Sequence, residues 1–286
     1  MFQFRIWTTT GHLTIKAVKV IWAPALVACV ACFVWQGRAW AQNAAPHTLP
    51  APGALTGQTV SLALTAFSKS SPPDLPVPWR LIGLPKNKAP LAQIEIAILG
   101  DERVLKLATD KSYGAAVHEL TPQVLGPGSM LRWRWRLESP LALADLKTKE
   151  GDDAALKVCA MFDMPVGKLG FLERNLLRLA RGLSGEKLPA ATLCYVWDNK
   201  LPVGTGLPNA FTPRLRYLVM DSGERRIGQW VTHERDLAQD IQKAFGHEFD
   251  TPPPLIAVLA GADSDNTQGR SLAYVGDLSL SVKAPE

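Results

Sequence analysis

The sequence predicts an all-β protein, a two-sheet, jelly-roll-like β-sandwich with short helices at its periphery. Three observations lead to this fold class. Residues 131–137 alternate apolar and basic side chains at every position, which is typical of a strand with one face in a core. About ten short runs with strand character follow one another, with turn residues between them. Only two stretches have the spacing of an amphipathic helix, so each helix is expected to lie against a sheet or to cap an open end.

The central strand has the sequence Leu-Arg-Trp-Arg-Trp-Arg-Leu. Successive side chains of a strand point to opposite faces, so the leucines and tryptophans share one face and the arginines share the other. The apolar face needs a dry core, whereas the arginines need water, carboxylates or an anionic ligand. We therefore expect Trp133 and Trp135 to fill the core and Arg132 and Arg134 to lie on an accessible face.

Residues 1–41 are predicted to be a signal peptide. A basic start, an apolar run at 20–35 and the Ala-Trp-Ala sequence that ends at Ala41 match the three parts of such a segment. The apolar run is short for a membrane span, although an uncleaved anchor and a lipoprotein modified at Cys29 are alternatives. The mature protein is expected to be periplasmic or secreted, with no stable membrane span after cleavage.

Most of the surplus basic charge lies in this leader. The chain has 31 Lys+Arg and 26 Asp+Glu, and four of the basic residues but none of the acidic ones precede the cleavage point, which leaves 31 − 4 = 27 against 26. A mature protein with this balance lacks the positive surplus that nucleic-acid binding needs. We therefore predict no nucleic-acid partner.

Two of the four cysteines remain after the leader is removed. Cys159 and Cys194 each lie in an apolar, strand-like run. In an oxidising compartment they can form one disulfide, and the alternative is a pair of buried thiols.

The chain after the leader is predicted to form one domain. Residues 42–78 are rich in Ala, Pro, Gly and Ser and are expected to be a flexible leader with a possible first strand at 59–67. Residues 79–283 form the sandwich, in which Gly100-Asp101 turns between 93–99 and 103–108. Further strands are predicted at 115–120, 153–162, 191–197, 214–220, 228–232, 255–260 and 272–282, and helices at 171–183 and 235–245.

Six short motifs occur in a fixed order along this domain. They are residues 131–137, Gly151-Asp152-Asp153-Ala154-Ala155, Tyr195-Val196-Trp197, Gly228-Gln229-Trp230, Asp265-Asn266-Thr267 and Gly276-Asp277-Leu278. Together they resemble the bacterial domain-of-unknown-function family 3047 over about residues 79–282. The resemblance implies an exported single domain with a carbohydrate-binding-like sandwich fold and no established activity. The chain departs from the family pattern at Ala154, where an aromatic residue is usual, at Lys157, where an arginine is usual, and in an added helical segment at 169–186.

A basic surface is the first candidate site. If the strands at 153–162 and 214–220 neighbour the central strand, then Arg132, Arg134, Lys157 and Arg216 share one concave surface. Arginine forks bind carboxylates in a bidentate manner, which favours an anionic glycan such as one that contains uronate. The alternative is a solvated sheet face that is neutralised by nearby carboxylates.

Aromatic and acidic residues add to this candidate site. Trp197, at a strand end, and Trp230 are expected to stack on a sugar ring. Asp152 and Asp153, at the start of a strand, are expected to orient a sugar hydroxyl or to hold a cation. The alternative is that one caps a turn and the other pairs with an arginine.

A possible structural calcium is the only cofactor predicted. Asp263, Asp265 and Asn266 supply the hard oxygen atoms that calcium prefers. The glycine and the distant glutamate of an EF-hand loop are missing, and the alternative is a turn held by Asx hydrogen bonds.

These features predict an exported envelope protein, a non-catalytic glycan-binding-like module for an anionic or neutral glycan. One alternative is a polysaccharide lyase or glycoside hydrolase, for which Asp152, Asp153 and His118 are the plausible acids and bases. The sequence contains no Gly-x-Ser-x-Gly, His-Glu-x-x-His or phosphate-loop motif. The other alternative is a structural envelope protein, whose arginines would be saturated by carboxylates.

Overall fold

The computed structural model describes residues 59–84, 87–164 and 189–285, together with Gly167 and Arg174. The predicted signal peptide and almost all of the predicted helix at 171–183 lie outside these residues. Fourteen strands occur in the described part of the chain. They are β1 (Thr59–Leu62), β2 (Arg80–Ile82), β3 (Gln93–Leu99), β4 (Glu102–Asp110), β5 (Tyr113–Gln123), β6 (Met130–Ser139), β7 (Lys157–Phe162), β8 (Ala191–Asp198), β9 (Gly206–Pro208), β10 (Leu215–Ser222), β11 (Val231–Asp236), β12 (Leu255–Asp263), β13 (Arg270–Val275) and β14 (Ser279–Lys283).

The strands form two seven-stranded sheets across the described ranges. Sheet A has the order β1-β14-β6-β13-β4-β3, and β11 also pairs with β6. Sheet B has the order β2-β5-β12-β7-β8-β10-β9. Neighbouring strands are antiparallel except for β8 and β10, which are parallel. The prediction of an all-β, two-sheet sandwich is confirmed.

The central strand β6 provides the middle of the core between the sheets. Trp133 and Trp135 are 2 % and 0 % exposed, as predicted. The ring of Trp133 lies 4.9 Å from that of Tyr195 on β8, so the aromatic face of sheet A packs directly on sheet B. The indole Nε1 of Trp135 donates to Asp221 at 2.7 Å, and this bond removes most of the cost of burying a polar N–H.

Sheet B also has a buried outer face. Loop residues Leu146, Ala154 and Leu201 cover it and pack with side chains of β7, β8, β10 and β12. A sheet that is buried on both faces has nearly continuous apolar strands, which is the pattern of β8. Cys159 and Cys194 face each other across β7 and β8 on this side, and their sulfur atoms are bonded at 2.04 Å.

The helix α1 spans Leu237–Phe245. It begins two residues after the predicted start because Arg235 and Asp236 complete β11. The carboxylate of Asp236 then accepts a hydrogen bond from Gln239 N, which caps the helix. Within the described residues, no helix is long and apolar enough to cross a membrane.

Three sequence predictions about the bounds of the domain and its strands need correction. The folded domain does not begin at Trp79, because β1 pairs with β14 and Phe67 is fully buried in the core. The predicted last strand at 272–282 is two strands, β13 and β14, because the chain leaves the β6 edge between Val275 and Ser279. The predicted strand at 228–232 also lies later, at Val231–Asp236.

Candidate functional site

A cleft of about 660 Å³ opens on the outer face of sheet A, on the side of β6 that carries the arginines. We call it the outer cleft. Its lining residues include Ser68, Ile98, Asp101, Glu102, Arg103, Arg132, Arg134, Thr232, Asp277 and Ser279. Most of these side chains are hydrogen-bond donors or acceptors, so the cleft is suited to a polar ligand.

The outer cleft forms where β13 and β14 separate. Both strands pair with the same edge of β6, and Gly276 lies between them with its N–H bonded to the Arg134 carbonyl at 2.9 Å. A Cβ atom at this position would lie 2.7 Å from Arg134 Nε. Glycine is therefore required here for the Arg134 side chain to lie across the backbone.

Two ion pairs hold the arginines of β6 in place. Arg132 contacts the carboxylate of Glu234, its direct cross-strand partner on β11, through Nε at 2.8 Å and Nη2 at 2.8 Å. Arg134 contacts Glu102 at 2.8 Å, and its guanidinium lies 4.6 Å from the centre of the Trp230 ring. The forks predicted to bind an anionic ligand are therefore already occupied by carboxylates.

One wall of the outer cleft includes Ser68, from the segment before the predicted domain. Ser68, in a short 3-10 turn at Phe67–Lys69, donates its backbone N–H and its hydroxyl to the carboxylate of Asp277 at 2.9 and 2.6 Å. Since Phe67 is fully buried, this wall is anchored in the core.

The predicted shared basic surface does not form. Arg132 and Arg134 lie on sheet A, whereas Lys157 and Arg216 lie on sheet B. Lys157 is only 4 % exposed, and Arg216 pairs with Glu248 at 2.5 Å. The expectation failed because β6 pairs with β11, β13 and β14 rather than with β7 or β10.

The two candidate tryptophans have different environments. Trp230 is half-buried and contacts Arg134, a lining residue of the outer cleft, but does not line the cleft itself. Trp197 is only 3 % exposed, and its Nε1 donates to Gly223 O at 3.0 Å. The expectation that Trp197 offers a stacking surface is therefore wrong, because the loop after β10 covers this strand end.

The two adjacent aspartates position loops at the other predicted site. Asp153 accepts hydrogen bonds from Asn266 N at 3.1 Å and from the backbone and hydroxyl of Thr267 at 2.6 Å each. Asp152 accepts from Tyr217 Oη at 3.0 Å and from Asn209, and burial raises the pKa of its carboxyl. Neither accepts a hydrogen bond from an arginine in the described ranges, so the predicted pairing with arginine does not occur.

One carboxylate oxygen from each of Asp153, Asp263 and Asp265 lies within 4.8 Å of the others. We call these three residues the acidic cluster. Lys157 Nζ contacts Asp263 at 2.8 Å. Although burial opposes the lysine charge, the groups around it, chiefly Asp263 and then Tyr113 and Asp152, together raise the Lys157 pKa. Asn266, the third predicted calcium ligand, instead donates its amide N–H to the Asp152 carbonyl at 3.2 Å. The lysine therefore supplies one cation to a group that has the oxygen donors for a metal ion.

Asp265→Asn is expected to raise the melting temperature at pH 7 by about 1–2 °C. Burial, and then the charges of Asp263 and Asp153, raise the Asp265 pKa. A carboxyl whose pKa is raised in the folded state contributes stability at low pH that is lost as the pH rises through that pKa. The increase in melting temperature should therefore be smaller at pH 4 than at pH 7. Asp74 is exposed, so Asp74→Asn is the control for thermal unfolding.

The same variant tests the predicted calcium site, which stays a prediction. If calcium binds the acidic cluster, millimolar calcium raises the melting temperature of the wild type, and Asp265→Asn removes this rise. An equal rise in both proteins would place the ion elsewhere.

Sequence reasoning missed several residues of the outer cleft. Arg103 is exposed in the cleft and has no ion-pair partner among the described residues, but nothing in its local sequence distinguishes it from other strand arginines. Ser68 lies in a stretch whose composition suggested flexibility. Asp277 could have been selected from the sequence, because it belongs to one of the six motifs. Two of these motifs, residues 131–137 and Gly276-Asp277-Leu278, contribute lining residues to the outer cleft. The motif Gly228-Gln229-Trp230 contacts Arg134 through its tryptophan.

Several solved structures align with the chain at low TM-score and very low sequence identity. The glycoside hydrolase domain of Endo-D from Streptococcus pneumoniae has a TM-score of 0.31 and 10 % identity, over 71 % of this chain and only 21 % of that one. Endoglucanase 3 from Trichoderma harzianum has a TM-score of 0.38 and 6 % identity, over 73 % of this chain and 100 % of that one. Winged bean acidic lectin has a TM-score of 0.37 and 11 % identity, over 80 % of this chain and 100 % of that one. We draw no functional conclusion from similarities of this size.

A family model supplies the firmer relationship. No curated protein matches the chain in sequence. Residues 77–279 match the family model described as "Protein of unknown function (DUF3047)", which agrees with the resemblance seen in the motifs. The match covers most of the chain and includes both strands and loops that shape the outer cleft and the acidic cluster. The chain therefore belongs to the DUF3047 family.

Proposed function

We propose that this protein is a non-catalytic module of the cell envelope that binds a glycan in the outer cleft of sheet A. The observation that carries the proposal is a polar cleft of about 660 Å³, one of whose lining arginines, Arg134, lies over the indole of Trp230. Small-molecule sites have volumes of about 300–1,000 Å³. A cleft of this size accommodates a short oligosaccharide.

The chemistry of the outer cleft suits a sugar. A sugar ring carries many hydroxyl groups, each of which needs a donor or an acceptor when it leaves water. Arg103 and Thr232 offer donors, and Asp101 offers acceptors. The C–H face of a sugar ring packs on an aromatic surface, and the candidate for this surface is half-buried Trp230, which contacts Arg134 of the cleft lining.

The residues considered for catalysis do not support an enzyme at this site. His118 is buried and packs against Trp79, with ring centres 5.1 Å apart. Asp152 and Asp153 are 6 % and 2 % exposed, and their carboxylates hold loops. None of the three lines the outer cleft, so they do not offer an acid and a base to a ligand there.

Glycan binding is tested on an oligosaccharide array with the wild type, Trp230→Ala and Arg103→Ala. The wild type is expected to bind at least one glycan, and each variant to bind it about tenfold more weakly, a change of about 1.4 kcal/mol. Trp230→Phe should keep most of the affinity, because it keeps an aromatic surface. Phe211→Ala, which removes an exposed ring that does not line the cleft, should bind like the wild type.

The alternatives have their own outcomes in this experiment. Release of shorter products from a bound glycan would indicate a lyase or hydrolase. Absence of binding to every glycan on the array would support the alternative of a structural envelope protein, which the paired arginines also fit.

Export remains part of the proposal. The signal-peptide pattern at 1–41 motivates it, and the disulfide supports it, because such bonds persist mainly in oxidising compartments. Mass spectrometry of the protein from a secreting host should give Gln42 as the first residue, and an N-terminus at Met1 or a lipid on Cys29 would refute this cleavage.

A further inference from the structure

We infer that the outer cleft selects uncharged glycans over uronate-containing ones, and that Glu102 and Glu234 set this preference. The inference rests on the proposed function and names the class of glycan. The sequence analysis left an anionic or a neutral glycan open, and this inference selects the neutral one.

The charges around the outer cleft do not favour an anion. Three guanidinium groups and three carboxylates line it. Glu234, which holds Arg132, adds a fourth carboxylate, so the local sum is 3 − 4 = −1. A uronate that enters the cleft therefore meets no surplus of positive charge, and like charges close to it oppose its binding.

To bind Arg132, a uronate would also have to displace a resident carboxylate. The Arg132 fork is used through both Nε and Nη2, and its hydrogen bonds to Glu234 lower the pKa of that carboxyl, so Glu234 stays ionised and paired. Pairing in register on adjacent antiparallel strands keeps the two side chains opposite each other. Displacement would exchange one carboxylate for another and leave Glu234 without its partner.

The Arg134 side chain is fixed in a similar way. Glu102 holds one edge of its guanidinium at 2.8 Å, Trp230 lies beside its face, and Gly276 lies directly beneath its stem. An arginine bound to one carboxylate still has N–H groups to donate, and the carboxylate still has lone pairs to accept. Each ion pair therefore presents donors and acceptors side by side, which matches the neighbouring hydroxyls of a neutral sugar.

The test uses pairs of glycans that differ only in charge. Oligosaccharides that contain uronate are compared with the products of their carboxyl reduction by calorimetry. We expect the wild type to bind the reduced member of a pair at least tenfold more tightly, with a dissociation constant that changes little with salt. The variant Glu102→Gln/Glu234→Gln frees both forks, so it should gain at least tenfold in uronate affinity, and salt should weaken this gain. Glu95→Gln, which removes the partner of Lys106 on the same sheet, should keep the wild-type preference.

The possible failures are distinct from one another. Tighter binding of the uronate member by the wild type, or an unchanged preference in the double variant, would overturn this inference and leave glycan binding in place. No binding of any glycan on the array would overturn the proposed function, and the inference with it.

Discussion

Replacing Lys157 with methionine is expected to lower the free energy of unfolding by about 3–5 kcal/mol, the usual cost of removing one partner of a buried ion pair. Lys157 and Asp263 have side chains only 6 % and 9 % exposed. The ammonium group also lies 4.8 Å from the ring of Tyr113. Without it, the carboxylates of the acidic cluster remain close together with no described cation among them.

This cost should depend on pH. In the variant, protonation of a clustered carboxyl relieves the repulsion, so the loss of stability should shrink as the pH falls towards 4. Denaturant unfolding at pH 7 and at pH 4 measures both values. In the double variant Lys157→Met/Asp263→Asn, the charge left unpaired is removed as well, and part of the stability should return.

Lys106→Met is the matched control. Lys106 pairs with Glu95 at 3.0 Å, but both side chains are about a quarter exposed, so the expected cost is at most about 1 kcal/mol. A loss for Lys157→Met no larger than that of the control would show that water reaches the acidic cluster.

The local pattern of the chain predicts much of the fold but little of its assembly. The alternation in β6 identifies the face that holds Trp133 and Trp135, because strand periodicity is a property of the strand alone. The pattern at β7 likewise places Lys157 opposite the face that enters the core. It does not indicate that a loop ending at Ala154 covers that opposite face, since burial there depends on packing between distant segments.

The candidate site shows the same division. Arg134 and Trp230 come from two motifs that sequence reasoning selected, and the structure brings them together. Which strands neighbour β6 depends on pairing between distant parts of the chain. For this reason the predicted basic surface combined strands that lie in different sheets. For the same reason, the sequence did not predict that Glu102 and Glu234 contact its arginines.

The second large effect concerns the disulfide. Replacing Cys159 and Cys194 with alanine is expected to lower the free energy of unfolding by about 3–4 kcal/mol, from the chain entropy that a loop of this length loses in the unfolded state. The bond joins residues 35 positions apart in sequence, and both cysteines are 1 % exposed.

Denaturant unfolding with and without reductant measures this contribution. Reductant should destabilise the wild type to about the level of the variant and leave the variant unchanged. Because both sulfurs are buried, thiol reagents should find no reactive cysteine in the folded, oxidised mature chain (residues 42–286) and two after it is unfolded in reductant. Two reactive thiols in non-reduced, unfolded protein would mean that the bond is absent.

A difference in the free energy of unfolding between wild type and variant below about 1 kcal/mol would mean that the β7–β8 pairing keeps the unfolded chain ordered near these residues. The effect would then lie in the denatured state rather than in the native sheet.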